Sequence, residues 1–146
     1  MKSYRCVICT PTDKLYDKDV EYANVPSEDG FFGVQAGHEL TVALTGRGGI
    51  CTVTPADNPA EKKEFLLFKG ATQMMNGILT VLAAFGIAVD DLDREKAEAE
   101  AAEIRKQIDS LKEKDDVQDK TTIAISERNL EWYEFQLEYI DKLNAA

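Results

Sequence analysis

The sequence predicts a β-plus-α protein: an N-terminal antiparallel β-sandwich over residues 1–89, followed by a C-terminal antiparallel two-helix hairpin over residues 90–146. The first observation is a series of short runs, rich in β-branched and aromatic residues and separated by turn signals, that ends near Val89. The second is a change of period beyond that point, where apolar residues recur every three or four positions. A chain of 146 residues has room for one such domain with a helical appendage.

The N-terminal part contains segments typical of β-strands, with turn-forming residues between them. The segments are YRCVICT, DVEYANV, LTVAL, ICTVT, EFLLF and ILTVLAAF. Val20 and Tyr22 are two residues apart, which predicts that both lie on one face of the second strand. The Asn76-Gly77 step predicts a two-residue hairpin, because both residues tolerate the positive φ of a type I′ turn. Many short strands joined by turns are typical of a small antiparallel sandwich or barrel.

The C-terminal segment is predicted to form two helices. Asp90 and Asp91 suit the N-cap of the first helix, because a carboxylate there accepts hydrogen bonds from free backbone N–H groups. The predicted apolar stripes are Ala97, Ala101, Ile104, Ile108 and Leu111 on the first helix, and Ile123, Leu130, Tyr133, Leu137 and Ile140 on a second helix that begins near Thr121. Because alanines bury little apolar area, we expect a hairpin that can detach without unfolding the sandwich.

The net charge of −10 restricts the classes of partner. It argues against nucleic acid and against an anionic membrane surface, because both attract basic surfaces. Residues 91–146 hold most of the negative charge, with 9 basic and 16 acidic side chains against 8 and 11 in residues 1–90. The start resembles no signal peptide, and the longest apolar run, Val81 to Val89, is too short to span a bilayer. We therefore expect a cytoplasmic protein without direct membrane insertion.

Residues with obvious chemical potential are few. Cys6 and Cys9 form a C-x-x-C pair, which suggests a redox or zinc site, but residues three apart on a strand point to opposite faces. With Cys51 they make an odd number, which favours reduced, buried cysteines. The only histidine, His38, lies in the stretch GFFGVQAGHEL and is expected to stabilise a turn rather than act as a base. These observations predict a protein that is not an enzyme and that requires no cofactor or metal.

The order of these segments resembles that of the epsilon subunit of bacterial F-type ATP synthase, over essentially the whole chain. The stretches that carry the resemblance are VICTPTDKLYDKDVEYANVPSEDGFFGVQAGHEL, LTVALTGRGG, EFLLFKGATQMMNGILTVLA and DDLDREKAEAEA. The resemblance implies a non-catalytic rotor-stalk subunit that binds the gamma subunit and the membrane c-ring, and transiently the beta subunit of the catalytic head. It also implies regulation of ATP hydrolysis and a peripheral location at the cytoplasmic face of the bacterial cell membrane.

The resemblance further implies a docking surface within GFFGVQAGHEL. We expect its glycines to form tight turns at one end of the sandwich, where Phe31, Phe32, Val34 and His38 would contact the ring. Either Phe31 or Phe32 is expected to be exposed and the other buried, and the pattern does not decide which. The family's G-H-A-P-L segment is here GHEL, which leaves the strand register from Glu39 to Gly49 open.

Some members of the family bind ATP through an I/L-D-x-x-R-A motif at the first helix. Here LDREKA retains Leu92, Asp93 and Ala97 but has Lys96 in place of arginine, which keeps the charge and loses the planar fork that grips phosphate. ATP is therefore expected to be a weak regulatory ligand at most. In strongly inhibitory members the second helix is basic and faces acidic residues of the beta subunit. Residues 120–146 carry three basic and five acidic side chains, which predicts weak inhibition through that contact, or inhibition that relies on Trp132, Tyr133, Phe135 and Tyr139.

Two other classes of protein stay open at this point. A stand-alone nucleotide-sensing regulatory module is disfavoured by the altered motif. A thiol-redox protein that uses the CVIC segment is disfavoured by the strand geometry.

Overall fold

The computed structural model describes residues 2–37, 41–114 and 117–145. Contacts within the chain divide it into two units, Met1–Asp91 and Leu92–Ala146. The strands described in the first unit are β1 Tyr4–Cys9, β2 Lys14–Ser27, β3 Gly30–Gln35, β4 Thr41–Leu44, β5 Gly48–Pro55, β6 Lys63–Met75 and β7 Ile78–Ala88. The second unit contains α1 Arg94–Lys114 and α2 Lys120–Ala145.

The strands of the first unit form a sheet that closes on itself. The order runs β1-β7-β6-β5-β2, β2 pairs again with β1, and β3 and β4 lie beside β2 and β6. The pairs among the described strands are antiparallel except β1–β7, which is parallel. The first and last strands can pair in parallel because the whole of the domain forms their crossover connection. With the two helices that follow, this architecture confirms the predicted fold class.

β6 changes partner part of the way along its length. Its first part pairs with β5 and its second part with β4. Between the two parts, Lys69 and Gly70 have φ angles of 57° and 127°. The Thr45 N–H donates to the Gly70 carbonyl, and the Lys69 N–H donates to the Arg47 carbonyl, both at 3.0 Å. These bonds anchor the bend in β6 to the turn between β4 and β5.

The interior of the first unit is apolar, and its residues come from strands near both ends of that unit's sequence. Its fully buried members include Ile8, Val20, Val25, Val34, Val53, Leu67, Met74, Leu79 and Val81. Each side chain of this size contributes roughly 1.5–3 kcal/mol when it is removed from water.

A β-bulge in β2 makes one prediction wrong. Val20 lies opposite Pro55 and Tyr22 lies opposite Thr54, so that two steps along β2 match one step along β5. The extra residue reverses the alternation of β2, because successive side chains of a regular strand point to opposite faces. Val20 and Ala23 are therefore buried, whereas Tyr22 is 37% exposed and does not share a face with Val20.

Two details of the sheet settle local predictions. Asn76 and Gly77 have φ angles of 54° and 77° between β6 and β7, which confirms the predicted hairpin.

β4 lies antiparallel to β6, with Leu44 opposite Ala71, while Gly48 of β5 lies opposite Phe68. The register is thus determined from Thr41 onward, and Glu39 and Leu40 lie outside the described residues.

The first helix begins later than predicted. Asp90 and Asp91 belong to a 3₁₀ turn, Val89–Asp91, and the N-cap is Asp93. The Lys96 N–H donates to Oδ1 of Asp93 at 3.2 Å, and the Ala97 N–H donates to the Asp93 carbonyl at 3.0 Å. The prediction that Asp90 or Asp91 caps the helix is wrong, because the strand and the 3₁₀ turn occupy the chain up to that point.

The two helices form an antiparallel hairpin, since the start of α1 contacts the end of α2 and the end of α1 contacts the start of α2. The buried side chains are Ala97, Ala101 and Ile108 on α1, and Trp132, Phe135 and Gln136 on α2. The apolar contribution of α1 is small, as its alanines predict. No helix in the described residues is both long and apolar enough to cross a membrane.

Candidate functional site

Phe31 projects from the end of the sheet at which β2 turns into β3. The turn itself is Glu28–Asp29, and Ser27 pairs with Gly30 on either side of it. The Glu28 N–H donates to the Leu44 carbonyl at 3.0 Å, which ties the turn to the end of β4. Phe31 is 65% exposed, so it offers a partner an apolar ring next to the two carboxylates of the turn.

Phe32 and Val34, two of the other predicted contact residues, are less exposed than Phe31. Phe32 is half-buried and packs against the core, and Val34 is fully buried. The Val34 carbonyl accepts a hydrogen bond from the Tyr4 hydroxyl at 2.5 Å, and burial raises the pKa of that tyrosine. The prediction of Val34 as an exposed contact residue is wrong, because strand alternation turns it inward with Phe32. His38 lies outside the described residues.

The glycines of this stretch do not gather at one end of the sandwich. Gly30 and Gly37 both have positive φ, but β3 separates them. A strand of six residues is about 20 Å long, so the two turns lie at opposite ends of β3. The expectation of one compact docking loop is therefore wrong, and only the Phe31 end is available in the described residues.

The structure adds an exposed apolar surface that sequence reasoning missed. We call it the β4–β7 face, and it consists of Val42, Leu44, Met75, Ile78 and Leu82. Leu44 lies opposite Ala71, which in turn lies opposite Leu82, and Met75 lies opposite Ile78. Val42 lies opposite Gln73, which lies opposite Thr80, so this polar pair separates the Leu44–Leu82 row from the Met75–Ile78 pair. Because neighbouring strands are about 4.8 Å apart, the five apolar side chains share one face of the sheet.

A signal for the β4–β7 face was present in the pattern of β7. Ile78 and Leu82 point outward, while Leu79 and Val81 point into the core. A strand that is apolar on both faces has either a second covering layer or an exposed surface that requires a partner. Apolar residues at both the outward and the inward positions of β7 therefore predict an exposed apolar surface. The pattern does not tell which of the two faces packs against the core.

The residues of the predicted ATP motif lie at the start of α1. Ala97 is buried, Leu92 is half-buried, and Asp93 and Lys96 are exposed. The Asp93 carboxylate is engaged as the helix cap, so a structural role accounts for it without a nucleotide. Sequence reasoning missed the neighbouring Arg94, whose guanidinium contacts both Glu98 and Asp141.

The cysteines have the environment of core residues. Cys6 and Cys51 are fully buried and Cys9 is half-buried, and all three are free thiols. Burial raises the pKa of Cys6 to about 12 and raises the pKa of Cys51 further, so both thiols stay protonated and unreactive at neutral pH. The described residues contain no group of three His, Cys, Asp or Glu side chains placed to hold a metal ion.

Two of these features concern the surface of the first unit. An exposed apolar face on a small β domain and an apolar residue at the tip of a turn are typical of interaction surfaces.

The comparisons with known proteins identify the family. Residues 3–88 match the family described as ATP synthase, Delta/Epsilon chain, beta-sandwich domain. The chain is 30% identical over 123 residues to ATP synthase epsilon chain 1 of Nitrobacter hamburgensis, covering 76% of this chain and 88% of that one. It is 26% identical over 117 residues to the ATP synthase epsilon chain of Bacillus subtilis, covering 80% and 86%. The chain therefore belongs to the family of bacterial F-type ATP synthase epsilon subunits, as the resemblance predicted, and is a non-catalytic subunit.

A solved structure agrees on the fold. A chain of the Euglena gracilis mitochondrial ATP synthase, in a structure of OSCP, F1 and c-ring, superposes with a TM-score of 0.59 over 94% of this chain and 81% of that one. At 20% sequence identity this likeness shows that the two chains share a fold.

Proposed function

We propose that this chain is a rotor subunit of the central stalk, which couples the catalytic head to the membrane ring and regulates ATP hydrolysis. The observation that carries the proposal is the β4–β7 face, because exposed apolar residues that share one face of a sheet are typical of a site that binds another protein. Its location would be peripheral, at the cytoplasmic face of the bacterial membrane, through the complex.

The two surfaces of the first unit suit different partners. The β4–β7 face carries no charged side chain among its five defining residues, which is typical of the core of a lasting interface, and we assign it to the gamma subunit. The Phe31 end is small and has Glu28 and Asp29 beside an exposed ring, and we assign it to the loops of the c-ring. The acidic turn favours a basic surface on that partner.

Co-purification tests the main proposal. The chain is expected to form a stable complex with the gamma subunit from the same source, measured by size-exclusion chromatography of the mixed subunits. The first unit alone, residues 1–91, is expected to bind in the same way, since it contains the whole β4–β7 face. A chain that is folded but binds no gamma subunit would contradict the proposal.

Replacing Phe31 with glutamate is expected to weaken coupling without unfolding the chain. The ring is 65% exposed, so the substitution removes an apolar contact with the partner and little core packing. ATP-driven pumping of protons or other ions by the reconstituted complex should fall by about half or more, because truncating one anchoring aromatic typically costs an interface 1–2 kcal/mol or more. Phe31→Leu is the control that keeps the apolar contact. Normal pumping by Phe31→Glu would exclude the Phe31 end as a coupling contact.

The helical hairpin is expected to inhibit ATP hydrolysis only weakly. Residues 120–146 have five acidic and three basic side chains, so α2 would approach an acidic surface on the catalytic head with an unfavourable charge. Removing the residues after Asp91 should raise the ATPase rate of the reconstituted complex by no more than about fivefold. An exposed charge contact contributes at most about 1 kcal/mol, which corresponds to a factor of about five. Activation of tenfold or more would show that aromatic residues of α2 carry inhibition in spite of its charge.

We propose that ATP is at most a weak ligand of the isolated chain. The Asp93 carboxylate accepts the Lys96 N–H, and lysine cannot offer phosphate the bidentate contact of arginine. Isothermal titration calorimetry with ATP is expected to show no saturable binding below ~1 mM, a free energy of about −4 kcal/mol. Saturable binding in the micromolar range would favour the alternative function, a nucleotide-sensing regulatory module.

A further inference from the structure

Three ion pairs between the two helices of the hairpin share one polarity. In each of them the cation is on α1 and the anion is on α2. The pairs are Arg94–Asp141 at the open end, Arg105–Glu134 at 3.6 Å, and Lys112–Glu127 at 3.6 Å near the connection. Part of the acidity of α2 is therefore matched within the hairpin itself.

The Arg94–Asp141 pair differs from the other two in its relation to the helix ends. Arg94 is the first residue of α1, and Asp141 lies in the last turns of α2, which ends at Ala145. A cation at a helix N-terminus and an anion near a C-terminus are each unfavourable within their own helix. In the antiparallel hairpin, however, Arg94 lies beside the negative end of α2 and contacts the Asp141 carboxylate. The Asp141 charge is thus favourable while the hairpin is closed, and closure gives Arg94 a second carboxylate partner besides Glu98.

The apolar contacts of this end of the hairpin are modest. Ala97 and Ala101 are the buried residues of the first two turns of α1, and alanine side chains bury little area. Arg94 also contacts Glu98 at 3.3 Å, which orients its guanidinium on the side of α1 that faces Asp141. The ion pair therefore supplies a larger share of the free energy that holds the two helices together at this end. Its share would be smaller if leucines were packed there.

We propose that the Arg94–Asp141 pair is a latch that holds the open end of the hairpin together. Releasing the latch, by ionic strength or by an anion that competes for the guanidinium, frees the first turn of α1 from the last turns of α2. The latch is a property of the isolated chain. Its consequence for ATP hydrolysis, an easier extension of the hairpin, rests on the proposed function.

The latch is tested in the full-length chain by amide hydrogen exchange, measured by mass spectrometry at low salt. Arg94→Gln and Asp141→Asn should each raise the exchange rate in the last turns of α2 by about three- to fivefold. The increase is expected even though each substitution removes an unfavourable charge from its own helix. The emission of Trp132, the only tryptophan and a buried one, gives a second measure of opening. The difference from the unaltered chain should vanish near 1 M salt, where the Debye length is about 3 Å.

Two further variants make the test decisive. Lys142→Gln also removes a positive charge, but the Lys142 ammonium lies 3.7 Å from Glu138 on the same helix. Because this variant loses only interactions within α2, exchange should rise by less than about twofold. The reversed pair, Arg94→Asp with Asp141→Arg, should restore slow exchange, because it keeps the contact and suits both helix ends. Equal effects of Lys142→Gln and Arg94→Gln, or a reversed pair that stays fast, would overturn the latch. Binding of these variants to the gamma subunit tests the proposed function separately.

Discussion

Replacing Leu82 with aspartate is expected to weaken the binding of the gamma subunit by 100-fold or more while the sandwich stays folded. Leu82 is 55% exposed and lies in the row Leu44–Ala71–Leu82 across the β4–β7 face. A carboxylate placed there is buried without a partner when the interface forms, and an unpaired buried charge costs about 3–5 kcal/mol. Isothermal titration calorimetry with purified gamma subunit measures the change in affinity.

The control for Leu82→Asp is Val117→Asp. Val117 is also an exposed aliphatic residue, but it lies in the 3₁₀ turn that precedes α2 and outside the β4–β7 face. Its affinity for the gamma subunit should stay within about twofold, and both variants should unfold within a few degrees of the unaltered chain, as substitutions at exposed sites generally do. Normal binding by Leu82→Asp would remove the β4–β7 face from the proposed interface.

Replacing Gly70 with alanine is expected to destabilise the first unit by about 3 kcal/mol or more, a large part of the roughly 5–15 kcal/mol by which domains are typically stable. Gly70 has a φ of 127° at the bend of β6, a conformation that residues with a Cβ rarely adopt. A Cβ there would lie 1.9 Å from the Leu82 carbonyl oxygen and 2.8 Å from the Ala83 Cα. These atoms belong to the backbone of β7, so relief would require breaking the β6–β7 pairing.

Gly30→Ala separates the two causes of the destabilisation by Gly70→Ala, which are the backbone strain at positive φ and the clash of the new Cβ with β7. Gly30 has a similar φ of 120°, but a Cβ at that position would meet nothing within 4 Å. Its cost should therefore be the backbone strain alone, about 1–2 kcal/mol. Urea unfolding followed by circular dichroism measures both variants. If Gly70→Ala and Gly30→Ala lose the same stability, the close approach of β7 to the bend contributes nothing.

Local signals in the sequence were sufficient for the elements of the fold. The Asn76-Gly77 turn, the strands around it and the two amphipathic helices follow from the side chains of a few neighbouring residues, because turn type and hydrophobic period are local properties. The same local signals indicated that Cys6 and Cys9 would point to opposite faces of β1, and Cys6 is buried while Cys9 is only half-buried. The order of the elements was enough to predict the family.

The sequence by itself therefore determined the fold class, the hairpin and the family, whereas the tertiary structure decided which residues face a partner. The bulge in β2 placed Tyr22 outside, and the alternation of β3 exposed Phe31 and buried Val34. Leu44 and Leu82 became neighbours across β6, and Arg94 met Asp141 over a separation of 47 residues. Strand register and helix pairing depend on the packing of distant segments, and no short window of sequence contains both partners of such a contact.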